Sequence, residues 1–126
     1  MRILGIDYGS RRIGLALSDE SGSMAFPHSV VLNTGKAISA TAQIVRENSV
    51  GMIVIGESLD YKGSPNKIMP AVLRFKAALE SETGLPVVLE KEFLTTAEAT
   101  RLQGESRNID ASAAALILKS YIDKRS

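Results

Sequence analysis

The chain contains no cysteine and only one histidine among its 126 residues. Disulfide bonds and thiolate metal sites are therefore excluded, as is a zinc site built from several histidines. The lack of cysteine fits a reducing cytoplasm. No hydrophobic run approaches the roughly 20 residues of a membrane span, and the start of the chain lacks the length and cleavage site of a signal peptide. We therefore expect a cytoplasmic protein without a membrane partner.

The chain also lacks an excess of charge of either sign. It has fifteen Lys and Arg and fourteen Asp and Glu, which gives a net charge of +1. Such a balance does not indicate a nucleic-acid binder through overall charge. A surface for nucleic acid would have to be local. With 44% hydrophobic residues, the length predicts a single domain over residues 1–126 with a core of its own.

The most informative segment is GIDYGSRRIGLALSD, residues 5–19. Asp7 ends a buried apolar run, and Gly9 permits the backbone geometry of a tight turn. Ile13, Leu15 and Leu17 then alternate with smaller residues, as in a strand with one buried face. The segment therefore predicts a hairpin with a carboxylate on its first strand. That carboxylate either stabilises the turn or is paired with a cation or a metal ion.

The remaining segments predict further strands that are connected by helices. Pro27 places the third strand at a sheet edge. The predicted elements after the hairpin are a strand at 26–32, a helix at 37–48, a strand at 51–56, a helix from Ser64 to Gly84, a strand at 85–92, a helix at 95–104 and a last helix from Asp110. An antiparallel three-strand meander followed by helix-linked strands predicts a five-stranded mixed sheet with helices on both faces.

Three acids stand at the ends of these predicted elements: Asp7, Glu92 and Asp110. Ligands collect at the carboxyl ends of parallel strands, where these three side chains can converge. Clustered carboxylates repel one another unless a cation neutralises them, and Mg²⁺ or Mn²⁺ prefers such oxygen ligands. Two such ions can hold a phosphodiester and activate water. Each acid also has a simpler interpretation, since Glu92 fits a solvated strand end and Asp110 a helix cap.

Four segments together resemble the YqgF/RuvX family of RNase H-like bacterial proteins, named for Holliday junction resolution and pre-16S rRNA processing. The resemblance covers nearly the whole chain. It rests on the opening hairpin with its Arg12-Ile13-Gly14 triplet, on IVIGESLDYKGS at 53–64, on KEFLTTAEA at 91–99 and on DASAAALILKSYI at 110–122. The resemblance implies an α/β RNase H-like fold and a metal-dependent nuclease that hydrolyses phosphodiesters.

The resemblance further implies that Asp7, Glu92 and Asp110 are the catalytic, metal-binding acids and that two divalent ions, Mg²⁺ or Mn²⁺, are bound. The implied partner is nucleic acid, either structured or precursor RNA or branched DNA, and ribosomal precursor particles are a further implied partner. We predict that three local cations contact the phosphate backbone of the nucleic acid: Arg12, Lys62 and Arg101. Nothing in the sequence indicates the oligomeric state.

The chain departs from the family pattern at several positions. Glu57-Ser58 stands where Leu-Pro is usual, Lys91 replaces an Asp, and Phe93 replaces an Arg that could grip a phosphate with two hydrogen bonds. These changes motivate an alternative, a non-catalytic RNA- or protein-binding module that keeps the fold. A third hypothesis is a sugar-kinase-like or actin-like ATPase, although that fold normally needs two such domains.

Overall fold

The computed structural model describes residues 1–58, 68–92 and 107–125. Within these residues it contains five strands and three helices. They are β1 Arg2–Tyr8, β2 Arg12–Ser18, β3 Ala25–Leu32, α1 Ala37–Glu47, β4 Val50–Ser58, α2 Met69–Thr83, β5 Val87–Glu92 and α3 Arg107–Arg125. In this part of the chain no helix is long and apolar enough to cross a membrane.

The strands form one five-stranded sheet in the order β3-β2-β1-β4-β5. Strands β1, β2 and β3 pair antiparallel, whereas β4 pairs parallel to both β1 and β5. The predicted meander and mixed sheet are therefore confirmed. Pro27 lies in the edge strand β3, beside a register irregularity between Leu15 and Ala16, because an edge tolerates a residue that cannot donate a ladder hydrogen bond.

Strand alternation gives the sheet two apolar faces, each covered by helices. Leu4 and Ile6 of β1 belong to a core shared with Val72 and Phe75 of α2. Ile3, on the opposite face of β1, packs in a second core with Leu118 of α3. Helices α1 and α2 thus cover one face and α3 covers the other, so the predicted sheet with helices on both faces is confirmed.

One predicted helix start needs correction. The last helix begins at Arg107, so Asp110 lies in its first turn and does not cap it from outside. A carboxylate in a first turn is favoured by the helix dipole, which explains why the pattern resembles a cap. Helix α2 begins at Met69 with Pro70 in its first turn, where proline costs no intrahelical hydrogen bond.

The rest of α2 follows the prediction. Its stripe of Val72, Phe75 and Leu79 is buried, and Gly84 ends it with a left-handed backbone at a φ of 70°. The predicted helix start at Ser64 and the predicted helix at 95–104 lie outside the described residues.

Candidate metal and nucleic-acid site

The turn between β1 and β2 is held in place by a side chain from another part of the chain. Asn33, just after β3, donates its side-chain amide to the Gly9 carbonyl at 2.9 Å, and its backbone N–H donates to the Arg11 carbonyl at 2.9 Å. A Cβ at Gly9 would lie 2.5 Å from the Arg12 carbonyl oxygen, so only glycine fits this turn. The turn next to Asp7 is therefore rigidly shaped.

Asp7 occupies the face of the sheet that α3 covers. It alternates with Tyr8, which packs with the core on the other face, and it shares its side with Ile3 of the α3 core. Only 6% of the Asp7 surface is exposed. A carboxylate this buried requires hydrogen bonds or a cation. Asp7 does interact with neighbouring polar or charged groups.

The first turn of α3 lies directly against the strand position opposite Asp7. Asp7 pairs with Gly14 in the antiparallel register, and directly opposed residues place their Cβ atoms about 5 Å apart on one face. A Cβ at Gly14 would lie 2.1 Å from the Asp110 carbonyl oxygen. The absence of a side chain at Gly14 lets the helix approach, which brings Asp7 and Asp110 to the same small region.

Arg12 and Asp110 form an ion pair in this region. Nε of Arg12 lies 3.0 Å from Oδ2 of Asp110, whose side chain is 7% exposed against 26% for the arginine. The alignment does not make this contact a hydrogen bond, and Oδ2 accepts no other one. Asp110 therefore has a charge partner, but its Oδ2 accepts no hydrogen bond.

Glu92 ends β5, where its backbone pairs with Ser58 of β4, and its side chain lies outside the described part of the structure. Its neighbour Glu90 is accounted for in another way. The Glu90 carboxylate accepts a hydrogen bond from Ser120 at 2.7 Å and pairs with Lys124 at 2.7 Å. Glu90 thus ties β5 to α3, while the convergence of Glu92 with the two aspartates stays a prediction.

Two departures from the family pattern meet in the structure. Glu57 and Lys91 stand side by side in the parallel register of β4 and β5. Lys91 is exposed while Glu90 is buried, and Leu89, two residues before Lys91, packs with the α1 and α2 core. Lys91 therefore lies on the face opposite Asp7. The two replacements are therefore neighbours in the sheet, and Lys91 does not point toward the carboxylates.

The donor set at this end of the sheet fits a hard divalent cation. Asp7 and Asp110 supply carboxylate oxygens, and one of these oxygens lacks a hydrogen bond, as expected for groups that prefer a cation. Among the described residues no group of three His, Cys, Asp or Glu is arranged to hold a metal ion. A complete site therefore needs a further ligand, the place that Glu92 is predicted to take.

Of the predicted cations, Arg12 is in this region, whereas Lys62 and Arg101 lie outside the described residues. Phe93, which stands where the family pattern has an arginine, also lies outside them. Sequence reasoning did not find Asn33, which holds the turn from 24 residues away. No local pattern marks such a residue, because its partner is brought close only by the pairing of β2 with β3.

The chain is similar along its whole length to bacterial proteins named "Putative pre-16S rRNA nuclease". The protein of Syntrophus aciditrophicus is 39% identical over 98% of this chain and 89% of its own length. That of Thermoanaerobacter pseudethanolicus is 35% identical, covering 99% of this chain and 98% of its own.

Among solved structures, Thermus thermophilus RuvC in complex with a Holliday junction substrate superposes with a TM-score of 0.60 at 18% identity, covering 99% of this chain and 96% of RuvC. At that identity the likeness concerns the fold, which is that of RNase H-like resolvases. The family model described as "RuvX: Holliday junction resolvase" matches residues 1–124. By this match and by its similarity to the two relatives, this chain belongs to the RuvX (YqgF) family.

Proposed function

We propose that this chain is a cytoplasmic, metal-dependent nuclease that hydrolyses phosphodiesters of precursor rRNA at the 5′ end of pre-16S rRNA. The observation that carries this proposal is the placement of two buried carboxylates, Asp7 and Asp110, at the end of β1 and the start of α3. The names of the relatives, which align over nearly all of this chain, support the substrate class. Ribosomal precursor particles are then the natural partner.

In this proposal Asp7, Asp110 and Glu92 hold the divalent cations, for which Mg²⁺ or Mn²⁺ is the choice that oxygen ligands favour. Bound ions of this kind polarise a phosphodiester and neutralise its charge during hydrolysis. The chain itself contributes fixed ligand positions, since Asn33 holds the turn beyond Asp7 and Gly14 seats the helix that bears Asp110. Preorganised ligands need no rearrangement when the substrate arrives.

Phosphate contacts outside the carboxylate cluster are assigned to Arg12, Lys62 and Arg101. Arg12 is the best supported, because its side chain is partly exposed and stands beside Asp110. Guanidinium groups bind phosphate oxygens with two parallel hydrogen bonds. These contacts position the nucleic acid and carry no sequence information.

A four-way DNA junction is the second candidate substrate, because the matching family is described as a Holliday junction resolvase. The direct test offers the purified protein pre-16S precursor rRNA and a four-way junction side by side, each with Mg²⁺ and with Mn²⁺. We expect metal-dependent cleavage of the precursor rRNA. Cleavage of the junction alone would instead assign the chain to DNA.

The test includes two matched variants that each remove one negative charge. Asp7→Asn is expected to abolish cleavage, whereas Asp123→Asn is expected to keep it, because Asp123 is exposed and pairs only with Lys119 among the described residues. If both substrates bind but neither is cut with either metal, the chain is a binding module that kept the fold.

A further inference from the structure

The ion pair between Arg12 and Asp110 has a consequence for metal binding that rests on the proposed function. Asp110 is nine-tenths buried, and burying a carboxylate is costly unless a positive charge stands nearby. Arg12 supplies that charge at 3.0 Å. The oxygen it contacts, Oδ2, faces the guanidinium without an aligned hydrogen bond, so the contact is electrostatic and less tight than a forked arginine–carboxylate pair.

The position of Arg12 is as fixed as that of its partner. Arg12 is the first residue of β2, two positions before Gly14, against which the Asp110 backbone packs. The backbone of Arg12 pairs with Leu32 of β3. Because strand and helix are held together at Gly14, the backbone of Arg12 keeps its place near Asp110, and only the side chain of Arg12 has to move when a cation binds.

We propose that Arg12 is a positioning residue that serves as the counter-ion of Asp110 in the metal-free protein and yields Oδ2 when a divalent cation binds. Arg12 and the cation then compete for the same carboxylate. The arginine keeps Asp110 from being a buried acid without its charge partner in the metal-free protein, and it weakens cation affinity in return. Once displaced, its partly exposed guanidinium is available for a substrate phosphate.

The test measures Mn²⁺ binding to the metal-stripped full-length protein at fixed pH by titration calorimetry. It compares wild type, Arg12→Gln, Arg12→Lys and the control Arg11→Gln. Arg11 is exposed and adjacent, so its replacement removes the same charge from the same turn without touching Asp110. This control separates the ion pair from the general effect of lost positive charge.

We expect Arg12→Gln to bind Mn²⁺ about tenfold more tightly than Arg11→Gln, the size of one charge-assisted contact. Arg12→Lys keeps a positive charge and is expected to stay near wild type. In EDTA, Arg12→Gln should melt several degrees below Arg11→Gln, and saturating Mn²⁺ should close that gap. A purely structural role would lower the melting temperature without tightening Mn²⁺ binding.

Equal or weaker Mn²⁺ affinity in Arg12→Gln relative to Arg11→Gln overturns the inference while leaving the proposed function intact, provided that wild type binds Mn²⁺. Binding by Arg12→Gln but not by wild type supports the inference in its strongest form. If none of the four proteins binds Mn²⁺, both the inference and the metal dependence of the proposed function fail. Circular dichroism confirms that each variant is folded. If Arg12→Gln is not folded, Arg12→Met is compared with Arg11→Met in the same titration, and equal or weaker Mn²⁺ affinity in Arg12→Met overturns the inference.

Discussion

At the scale of single residues, the close approach of α3 to β2 depends on one missing side chain. A Cβ at Gly14 would overlap the Asp110 carbonyl oxygen at 2.1 Å. Both atoms belong to backbone-defined positions, so neither can rotate away. Gly14, which has no side chain that could take part in a reaction, therefore sets the position of Asp110 relative to Asp7.

Gly14→Ala is expected to lower the free energy of unfolding by about 2 kcal/mol or more, because the helix must shift to relieve the overlap. The same shift should reduce nuclease activity at temperatures where the variant remains folded. Urea unfolding measures the first effect and a cleavage assay the second.

Gly35→Ala is the control for this change, because a Cβ at Gly35 meets nothing within 4 Å. Its stability should stay within about 0.5 kcal/mol of wild type. Equal stability of the two variants would show that the helix does not need the space at Gly14.

At the scale of elements, the turn that joins β2 to β3 is organised by one carboxylate. Asp19 accepts hydrogen bonds from the backbone N–H groups of Ser23 at 2.8 Å and Met24 at 3.2 Å, and from the Ser21 hydroxyl at 2.9 Å. The backbone donor of Ser23 is the largest cause that lowers the pKa of Asp19 well below its ordinary value. The charged form is therefore the one that holds the turn.

A carboxylate with a lowered pKa in the folded state stabilises the protein fully above its unfolded pKa of about 3.9, and that contribution is lost as the pH falls toward the folded value. Asp19→Asn should therefore lower the urea midpoint at pH 7. The difference from wild type should shrink as the pH drops below about 4. Urea unfolding of both proteins at several pH values between 7 and 3 measures this difference in midpoint. A difference that stays constant over that pH range would contradict this role.

A second element-scale contact joins β5 to α3 through Glu90, which is 5% exposed and pairs with Ser120 and Lys124. Removing Lys124 leaves the buried carboxylate without its cation, whereas Glu90→Gln leaves a neutral amide that the Ser120 hydroxyl can still contact. We expect Lys124→Met to cost about 1–2 kcal/mol and Glu90→Gln less than about 1 kcal/mol.

Combining the two changes should recover part of the loss, because the double variant buries no unpaired charge. Urea unfolding of the two single variants and the double variant measures this coupling. Additive losses would mean that the Glu90 carboxylate does not depend on Lys124.

At the scale of the whole molecule, the net charge of +1 leaves nucleic-acid binding to local cations. Such binding weakens steeply with salt, because each phosphate contact releases counterions. Replacing one contacting cation should reduce the slope of log affinity against log salt by about one.

We therefore expect Lys62→Gln and Arg101→Gln each to flatten the salt dependence of RNA binding. Fluorescence anisotropy with labelled precursor rRNA in roughly 50 to 200 mM salt provides the measurement. Lys119→Gln is the comparison, because Lys119 already pairs with Asp123. Slopes equal to that of the comparison would remove Lys62 and Arg101 from the interface.

The whole fold could be predicted from local patterns to a large degree. Alternation along Ile13, Leu15 and Leu17 and the buried stripe of α2 are periodic features, which record secondary structure directly. The order of strands and helices then constrains the sheet, since parallel strands need crossover connections.

The candidate site was less predictable because its decisive contacts are tertiary. The predicted start of α3 at Asp110 was wrong. In the sequence, an Asp before a run of alanines resembles a helix cap, and nothing local shows which residues it contacts across the sheet. The sequence predicts phosphate binding for Arg12, and only the packing at Gly14 shows that Arg12 pairs with Asp110. Asn33 acts through strand pairing, which no local pattern encodes.

The central claim is that Asp7 and Asp110 together support metal-dependent hydrolysis of phosphodiesters. The most direct test is single-turnover cleavage of pre-16S precursor rRNA as a function of Mg²⁺ concentration, with wild type, Asp7→Asn, Asp110→Asn and the exposed control Asp123→Asn. We predict that the first two variants lose at least about 100-fold in rate at every Mg²⁺ concentration, as expected for lost metal ligands, while the control matches wild type. Cleavage by Asp7→Asn or Asp110→Asn at the wild-type rate would contradict the account.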